Sequence, residues 1–346
     1  MIRTVETKVR VLRNGAQFSE LQYAPKTAPR VRCRDSAEIK MSMTGEFIPN
    51  SKMDWLSDEL QAVLIIDGAE HPVGTFLPAS VEEKERDGIK TLSVEAYDRC
   101  WRVKTAVGSG VLQIAGNQTY IAEITSLLAG CGITTIMTTA SAAALPSARA
   151  WTPGTSVLTA VNELLAEINY RSLWFTAEGV AVLEPYVETS VENIRHKLDG
   201  DDVRSLLLPE ISRKTDIFDA PNTFVVVCSN PDKSAPMTAT AVNNSPSSPF
   251  SVIRRGRAIS KVVQVNNISS QSALQAYAER LCNESMLRGE TFKASTALLP
   301  GYGVDDVVAL HYGEISVLCV DKEWSMDLRP GGTMTHTLEK VVHNIG

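Results

Sequence analysis

Two adjacent carboxylates, Asp305 and Asp306, stand among glycines in PGYGVDDVVALHYGEISVLCV, residues 300–320. A carboxylate pair is the usual apparatus of general acid–base and glycosyl chemistry, but it works only when both groups reach one substrate. Val307, Val308, Ala309 and Leu310 make the following residues an apolar strand, and neighbours entering a strand point to opposite faces. The pair is therefore expected to be a strand-entry device. Gly301 and Gly303 supply the turn, Asp306 satisfies its backbone groups, and Gly313 turns the next hairpin into ISVLCV.

The other chemistry-bearing patterns fail on inspection. GSGVLQ, residues 108–113, begins like a dinucleotide fingerprint, yet Gln113 replaces its third glycine and no βαβ unit adjoins it. GxxxxGK, HExxH and GxSxG do not occur, which removes the P-loop and the familiar metalloprotease and hydrolase signatures. His71, His196, His311, His336 and His343 lack metal-ligand spacing and read as surface or satisfied core histidines. In DGDDVRSLLLPE, residues 199–210, Asp199, Asp201 and Glu210 match the first, third and twelfth positions of a calcium loop. Val203 then occupies an oxygen-supplying position and Arg204 the obligatory glycine, so a polar turn is expected. RRGR, residues 254–257, with Lys261 is a basic cluster without interleaved aromatics, read as a partner-contacting or solvated edge. No catalytic, cofactor-binding or metal residue is assigned.

Composition bounds the class. The 346 residues call for two or three packed units, and 44% hydrophobic residues can fill them. With 34 basic against 40 acidic residues the net charge is −6, against a dedicated nucleic-acid binder. Every apolar run is broken before membrane-spanning length, and MIRTVETKVRVLRNG lacks the apolar block of a signal peptide. No membrane anchor is expected, and synthesis in the cytoplasm is.

The elements are mainly β. From residue 4 to about 100 a period-two pattern is punctuated by Asn14-Gly15, Asp67-Gly68 and Asp87-Gly88, each suited to a tight hairpin turn. The third hairpin, SVEEKERDGIKTLSVEAY, is long and charged on alternate residues, so one face should meet water or a partner. After Trp101 the period becomes helical. NQTYIAEITSLLAGCGI carries Tyr120, Ile121, Ile124, Leu127 and Leu128 on one stripe, with Asn117 as N-cap and Gly130 as the stop. TSVLTAVNELLAEI repeats the spacing at Val157, Val161, Leu164, Leu165 and Ile168. SLWFTAEGVAVLEPY reads as a hairpin turning near Glu178-Gly179. NTFVVVC and KVVQVNN are strands, residues 229–251 long loops around a weak strand at Met237 to Val242, and 270–288 a helix with Leu274, Tyr277, Ala278 and Leu281 inward before Gly289.

GVDDVVAL, GEISVLCV and KEWSMDLRPGGTMTHTL together resemble the closing region of the phage tail hub family, the baseplate-hub or tail-associated proteins of tailed bacteriophages and contractile injection systems. AVLIIDGAEHPVGTFLPASVEEKERDGIKTLSVEAYDRCWRVK is similar to the end of that family's first tube domain. NTFVVV followed by IRRGRAISKVVQVNNISSQSALQAYAERL is similar to its second half. Asp305-Asp306 departs from the family's usual Gly-Asp before the closing strand. The resemblance implies structural positions at Tyr97, Asp98, Trp101, Gly303, Asp306, Gly313 and Gly331. It also implies two tube-type antiparallel β-barrel domains, a small α/β insert and a helix packed on the second barrel. The division it implies is 1–103 with a return segment at about 200–220, an insert at 104–199, and 221–346 as the second tube domain.

The function implied is a homotrimeric tail-tip hub in the virion, assembled in the host cytoplasm, that adapts a sixfold tail tube to a threefold tip. Implied partners are a tail tube or distal tail protein, a tape-measure protein, and tip spike or fibre proteins, with DNA in passage only. Glu82, Glu83, Glu85 and Glu95 are candidates for lumen or subunit contact. The rivals are a peptidoglycan-cleaving tail-tip enzyme, for which an end at Gly346 leaves no room, and a sixfold tube-completion protein. Cys33, Cys100, Cys131, Cys228, Cys282 and Cys319 are scattered without CxxC pairs and sit mostly in apolar surroundings. All six are expected to titrate as free thiols after denaturation, and a native intramolecular disulfide would contradict that reading.

Overall fold

Asn14 and Gly15, and Asp67 and Gly68, take positive φ angles of 52°, 79°, 49° and 81°, the geometry that turns a two-residue hairpin with the natural strand twist. The computed structural model describes residues 3–86, 88–107, 110–215, 220–228, 236–265, 268, 270–286 and 290–341. Asp87, Gly108, Ser109, Gly289, His343 and residues 229–235 of the predicted loop lie outside them.

The first half comprises β1 (Val5–Arg13), β2 (Ala16–Leu21), β3 (Arg30–Arg34), β4 (Met41–Phe47), β5 (Glu59–Ile66), β6 (Ala69–Arg86) and β7 (Ile89–Tyr97). Their order is β3-β4-β7-β6-β5-β1-β2. This half closes on itself just past β2, where Tyr23 bridges Phe47 and Ala24 N donates to Glu46 O at 2.9 Å.

The insert follows with α1 (Cys100–Thr105), β8 (Leu112–Ile114), α2 (Tyr120–Gly130), β9 (Ile136–Thr138), β10 (Arg149–Trp151), α3 (Val157–Glu167), β11 (Trp174–Phe175) and β12 (Ala181–Leu183). Tyr120, Ile124 and Leu128 on α2 pack with Leu158, Val161, Leu164 and Leu165 on α3 in a core separate from that of the large sheet. Asn117 is not the N-cap of α2. It takes a left-handed φ of 66°, while Thr119 accepts from Ala122 N and caps the helix. The hairpin at Gly179 forms, and β12 gains a parallel partner in β9 that local periodicity does not reveal.

Next come β13 (Ile194–Asp199) and β14 (Leu207–Thr215), then β15 (Thr223–Cys228), β16 (Met237–Val242), α4 (Val252–Arg255), β17 (Ser260–Val265) and α5 (Gln271–Met286). The chain finishes with β18 (Glu290–Ala297), β19 (Val307–Tyr312), β20 (Ile315–Asp327) and β21 (Thr333–Lys340).

Three assignments differ from expectation. β14, in the stretch handed back to the first domain, pairs with β18 instead. β13, placed in the insert, runs parallel to β19 and buries Leu198 in the core of the large sheet. The described residues between 221 and 268 do not join the second barrel. β15 pairs with β16 and with β17 in a sheet of their own, and α5 covers that sheet, with Leu274, Ala278 and Cys282 against Phe224, Val226 and Cys228. The reason is local: α5 and β15 bury each other's apolar face and leave no such face for the second half.

The second half therefore reads β14-β18-β21-β20, with β19 on β20 and β13 on β19. Both halves share one continuous sheet and one core running from Val9 and Met43 to Trp324 and Leu338. Phe47 is fully buried at the closure of the first half, edge-on to Tyr23 with ring centroids 6.0 Å apart. A Cβ at Gly45 would meet its ring at 2.9 Å. Phe47→Ala is expected to cost about 3–5 kcal/mol in chemical denaturation; a loss below about 1 kcal/mol would show that this closure carries no stability.

Candidate functional site at the seam of the sheet

The two halves meet where β3 pairs antiparallel with β20 over five residue pairs, Arg34↔Glu323 to Arg30↔Asp327. Asp35 N to Lys322 O at 2.9 Å and Leu328 N to Pro29 O at 2.8 Å extend the ladder at both ends. Alternation divides the seam by face. Val31, Cys33, Trp324 and Met326 are buried. Arg30 donates to Asp327 at 2.7 Å, and Arg32 pairs with Glu323, on the polar face.

A bulge between Asp321 and Glu323 releases Lys322 from the β20·β21 ladder. Its ammonium bonds Asp305 and reaches Asp35 at 3.0 Å. Arg171, from the insert, lies 3.5 Å from the other Asp305 oxygen, donates to Val304 O at 3.0 Å and bonds Glu184 at 2.7 Å. Burial pushes the Asp305 carboxyl up. Burial also opposes ionisation of Asp35, but Lys322 and Lys40 outweigh it and hold that group below its usual range. Burial works against the charge on Lys322, but Asp305 and Asp35 together raise it. These groups line a polar cavity of about 530 Å³ where first half, insert and second half meet.

Asp306 points elsewhere. Its carboxylate accepts from Gly303 N at 2.7 Å and meets Arg195 and His196 at 3.1 Å each. Asp305, at a positive φ of 64°, serves the cation cluster while Asp306 closes its own turn. The two carboxylates do not converge on one point. Gly303 O accepts from the buried Trp324 indole at 2.7 Å, so this turn is fixed against the seam. His196 stacks on Tyr302 at 3.7 Å, and buried His336 lies between Asp321 at 2.6 Å and Thr296 at 3.0 Å.

Tyr97, Asp98 and Trp101 form the exit from β7. Asp98 is buried and accepts from Met41 N at 2.7 Å and Cys100 N at 2.8 Å, and the Tyr97 and Trp101 rings lie 5.2 Å apart. Gly313 and Gly331 take φ of 56° and 70° in the turns on either side of β20. The four glutamates separate by parity. Glu95 lies opposite Ser80 and Glu82 opposite Ser93, on the polar face; Glu83 lies opposite the buried Leu92 and Glu85 opposite Lys90, on the other. They cannot all face one lumen.

Parallel pairing sets Asp199 opposite His311, and with Asp201 they form a group with possible ligand atoms within 4.8 Å of one another. Glu210 is not in it. In the basic cluster, Arg254 and Arg255 make the last turn of α4, and Arg255 donates to Ala220 O at 3.1 Å and lies 5.0 Å over the Phe250 ring. The residues that sequence reasoning missed, Asp35, Arg171 and Lys322, come from three separate stretches, and no local spacing joins them.

No protein-family model matches this sequence, and no curated protein matches it. Solved structures do. A tail protein from Neisseria meningitidis MC58 superposes with a TM-score of 0.68 at 15% identity, over 97% of this chain and 96% of that one. The chain has the phage tail-protein fold. The 43 kDa tail protein of prophage MuSo2 from Shewanella oneidensis gives 0.66 at 10% identity over 97% and 98% of the two chains. The E. coli c3393 protein gives 0.54 at 11% identity over 97% and 78%; it is described as a type VI secretion system component similar to the T4 tail proteins gp27 and gp5. Among the described residues no helix is long and apolar enough to cross a membrane.

Burial raises Asp98 from 3.8 to about 6. A carboxyl raised by folding contributes stability that is present below its unfolded value and lost as pH rises through its folded one. The stability of the wild type relative to Asp98→Asn is therefore expected to fall by roughly 2–3 kcal/mol between pH 4 and 6.5. A flat difference in paired denaturation curves would rule this out.

Proposed function

We propose that this chain is a structural hub of a phage tail tip or baseplate. It assembles as a homotrimer whose six β halves match a sixfold tube, with a polar sheet face turned toward the DNA channel. The observation that carries the reading is that face. Across β4, β3, β21 and the part of β20 from Glu323 to Asp327, buried residues alternate with polar ones, from Ser42 and Thr44 through Arg30 and Arg32 to Ser325, Thr335 and Thr337. The face runs over the seam without interruption, and the arginines there are matched by Glu323 and Asp327. A passing polyanion would meet hydroxyls and neutralised arginines, which bind it weakly.

Two related units per chain support the trimer. β5-β6-β7 and β19-β20-β21 are the same meander: a short strand, a tight turn, a long strand with a one-residue bulge, and a return. In each the long strand is bulged against the returning one just past the last residue that the first strand pairs, after Pro78↔Ala96 in one and Asp321↔Leu338 in the other; β6 has a further bulge against β5 at Val73. In this reading the halves are the tube domains, and the insert and the β15–α5 unit decorate the ring. Tail tube or distal tail protein, tape-measure protein, and spike or fibre proteins are the partners, in a virion assembled in the host cytoplasm. The role is non-enzymatic.

Light scattering and particle imaging of the protein alone and on tail tubes are expected to give three copies around an open lumen. Glu46→Ala with Glu95→Ala, both on the polar face, should leave assembly intact and slow DNA ejection severalfold. A sixfold or strictly monomeric particle in tails, or peptidoglycan cleavage by the purified protein, would overturn the reading.

A further inference from the structure

The internal repeat says more than that two halves are related. It also identifies which edges have used their pairing capacity and which have not. On β20 one edge is occupied by β19 over Ile315 to Val320 and then by β3 over Glu323 to Asp327. The equivalent edge of β6 is occupied by β5 only as far as Phe76. Beyond the bulge, residues 80–85 of β6 are exposed and, among the described residues, pair only with β7. The strand equivalent to β3 in the second half is β14, since β3-β4-β7-β6 and β14-β18-β21-β20 run in the same order. β14 in turn pairs only with β18 among the described residues, and residues 212–215 are exposed. Unpaired strand edges of this kind are templates for another chain.

We infer that β14 of one copy adds to the free edge of β6 of a second copy, repeating between chains the contact that β3 and β20 make within one. The register follows from the repeat. Leu338, the partner of the residue before the bulge, corresponds to Ala96. Their outward neighbours are Phe292 and Met43, whose own partners are Arg213 and Val31. Arg213 therefore takes the place of Val31, and Lys214 that of Arg32. On the other side Glu83 takes the place of Met326, and Glu82 that of Ser325. Transferring Met326↔Val31 and Ser325↔Arg32 sets Glu83 opposite Arg213 and Glu82 opposite Lys214. Two cations meet two carboxylates, although the register was fixed without reference to charge.

The substitution also fits the chemistry of the two contacts. Met326↔Val31 is an apolar pair made inside one chain and never exposed once folded. Glu83↔Arg213 would join chains that must first be soluble apart. Until then Glu83 is held by Lys90 at 2.8 Å, an exposed pair that contributes little and exchanges readily, and Arg213 by the largely buried Glu290 at 2.6 Å, which keeps Lys340 at 3.0 Å when the exposed guanidinium turns away. Such a contact is heterologous, so it closes into a ring when the rotation closes.

The inference rests on the ring reading for copy number alone, and the experiment separates the two. Val81 and Thr215 fall opposite each other in the transferred register. The full-length Val81→Cys, Thr215→Cys variant should form intermolecular disulfides on mild oxidation, as directly opposed strand residues bring Cβ atoms within bonding range. Val81→Cys with Ser212→Cys, three residues off register, should not. Charge reversal by Arg213→Glu with Lys214→Glu should weaken self-association at least about tenfold, and adding Glu82→Lys with Glu83→Arg should restore it. A trimer with no 81–215 cross-link sinks the edge assignment and spares the hub reading. A cross-linked assembly of another number does the reverse, and a monomer without cross-links overturns both.

Discussion

The five residue pairs between β3 and β20 join stretches almost three hundred positions apart, and the shared core depends on them. Were that ladder absent, Val31 and Cys33 on one side and Trp324 and Met326 on the other would be apolar edges open to water. With it they are interior, and the hydrophobic gain is large because each edge buries the other. The same pairing gives the polar face its continuity, since alternation carries Arg30 and Arg32 to the side opposite Val31. Core and functional face are thus two consequences of one register.

That register is pinned by charge. The bulge at Lys322 takes a long cation out of the ladder and sets it between Asp35, which follows β3, and Asp305, which precedes β19. Burying a cation is favourable only when its partners are in place, and here they come from opposite halves. A slip by one residue would strand Lys322 and turn the apolar face outward. Arg171 draws the insert into the same cluster, so one group of charges fixes three units. Asp306, facing the other way, ties the adjoining turn to Gly303, whose carbonyl holds Trp324.

Much of the first half was legible because its determinants are local. Asn14-Gly15 and Asp67-Gly68 can hardly avoid a tight turn, and strict alternation in β3, β4 and β7 names the buried face residue by residue. The strand-entry geometry of Asp305 and Asp306 was readable for the same reason. What local pattern does not contain is the choice of partner. NTFVVVC reads as a buried strand wherever it goes, and the resemblance places it in the second barrel, whereas α5 supplies the apolar cover that β15 needs. β13 pairs in parallel with a strand more than a hundred residues away, and only that pairing assembles Asp199 and His311. The separation of Glu82 from Glu83 and Glu85 is local parity, but which of them shares a face with Glu95 follows from a register with β7 that the bulge between Pro78 and Ser80 resets.

The two halves also show how a repeated unit can carry two kinds of contact. A contact made once during folding of a single chain can be apolar, because its surfaces meet before either is free to find a stranger. A contact between chains has to survive a period of exposure. An apolar edge strand would then pair indiscriminately, and charge on the edge is the common remedy. β6 carries Glu82, Glu83 and Glu85 along the stretch that β5 leaves uncovered, and β14 carries Arg213 and Lys214. Opposite charges on the two edges oppose β6–β6 and β14–β14 pairing while favouring β6–β14, so the protection of the soluble chain and the direction of its assembly have the same physical source.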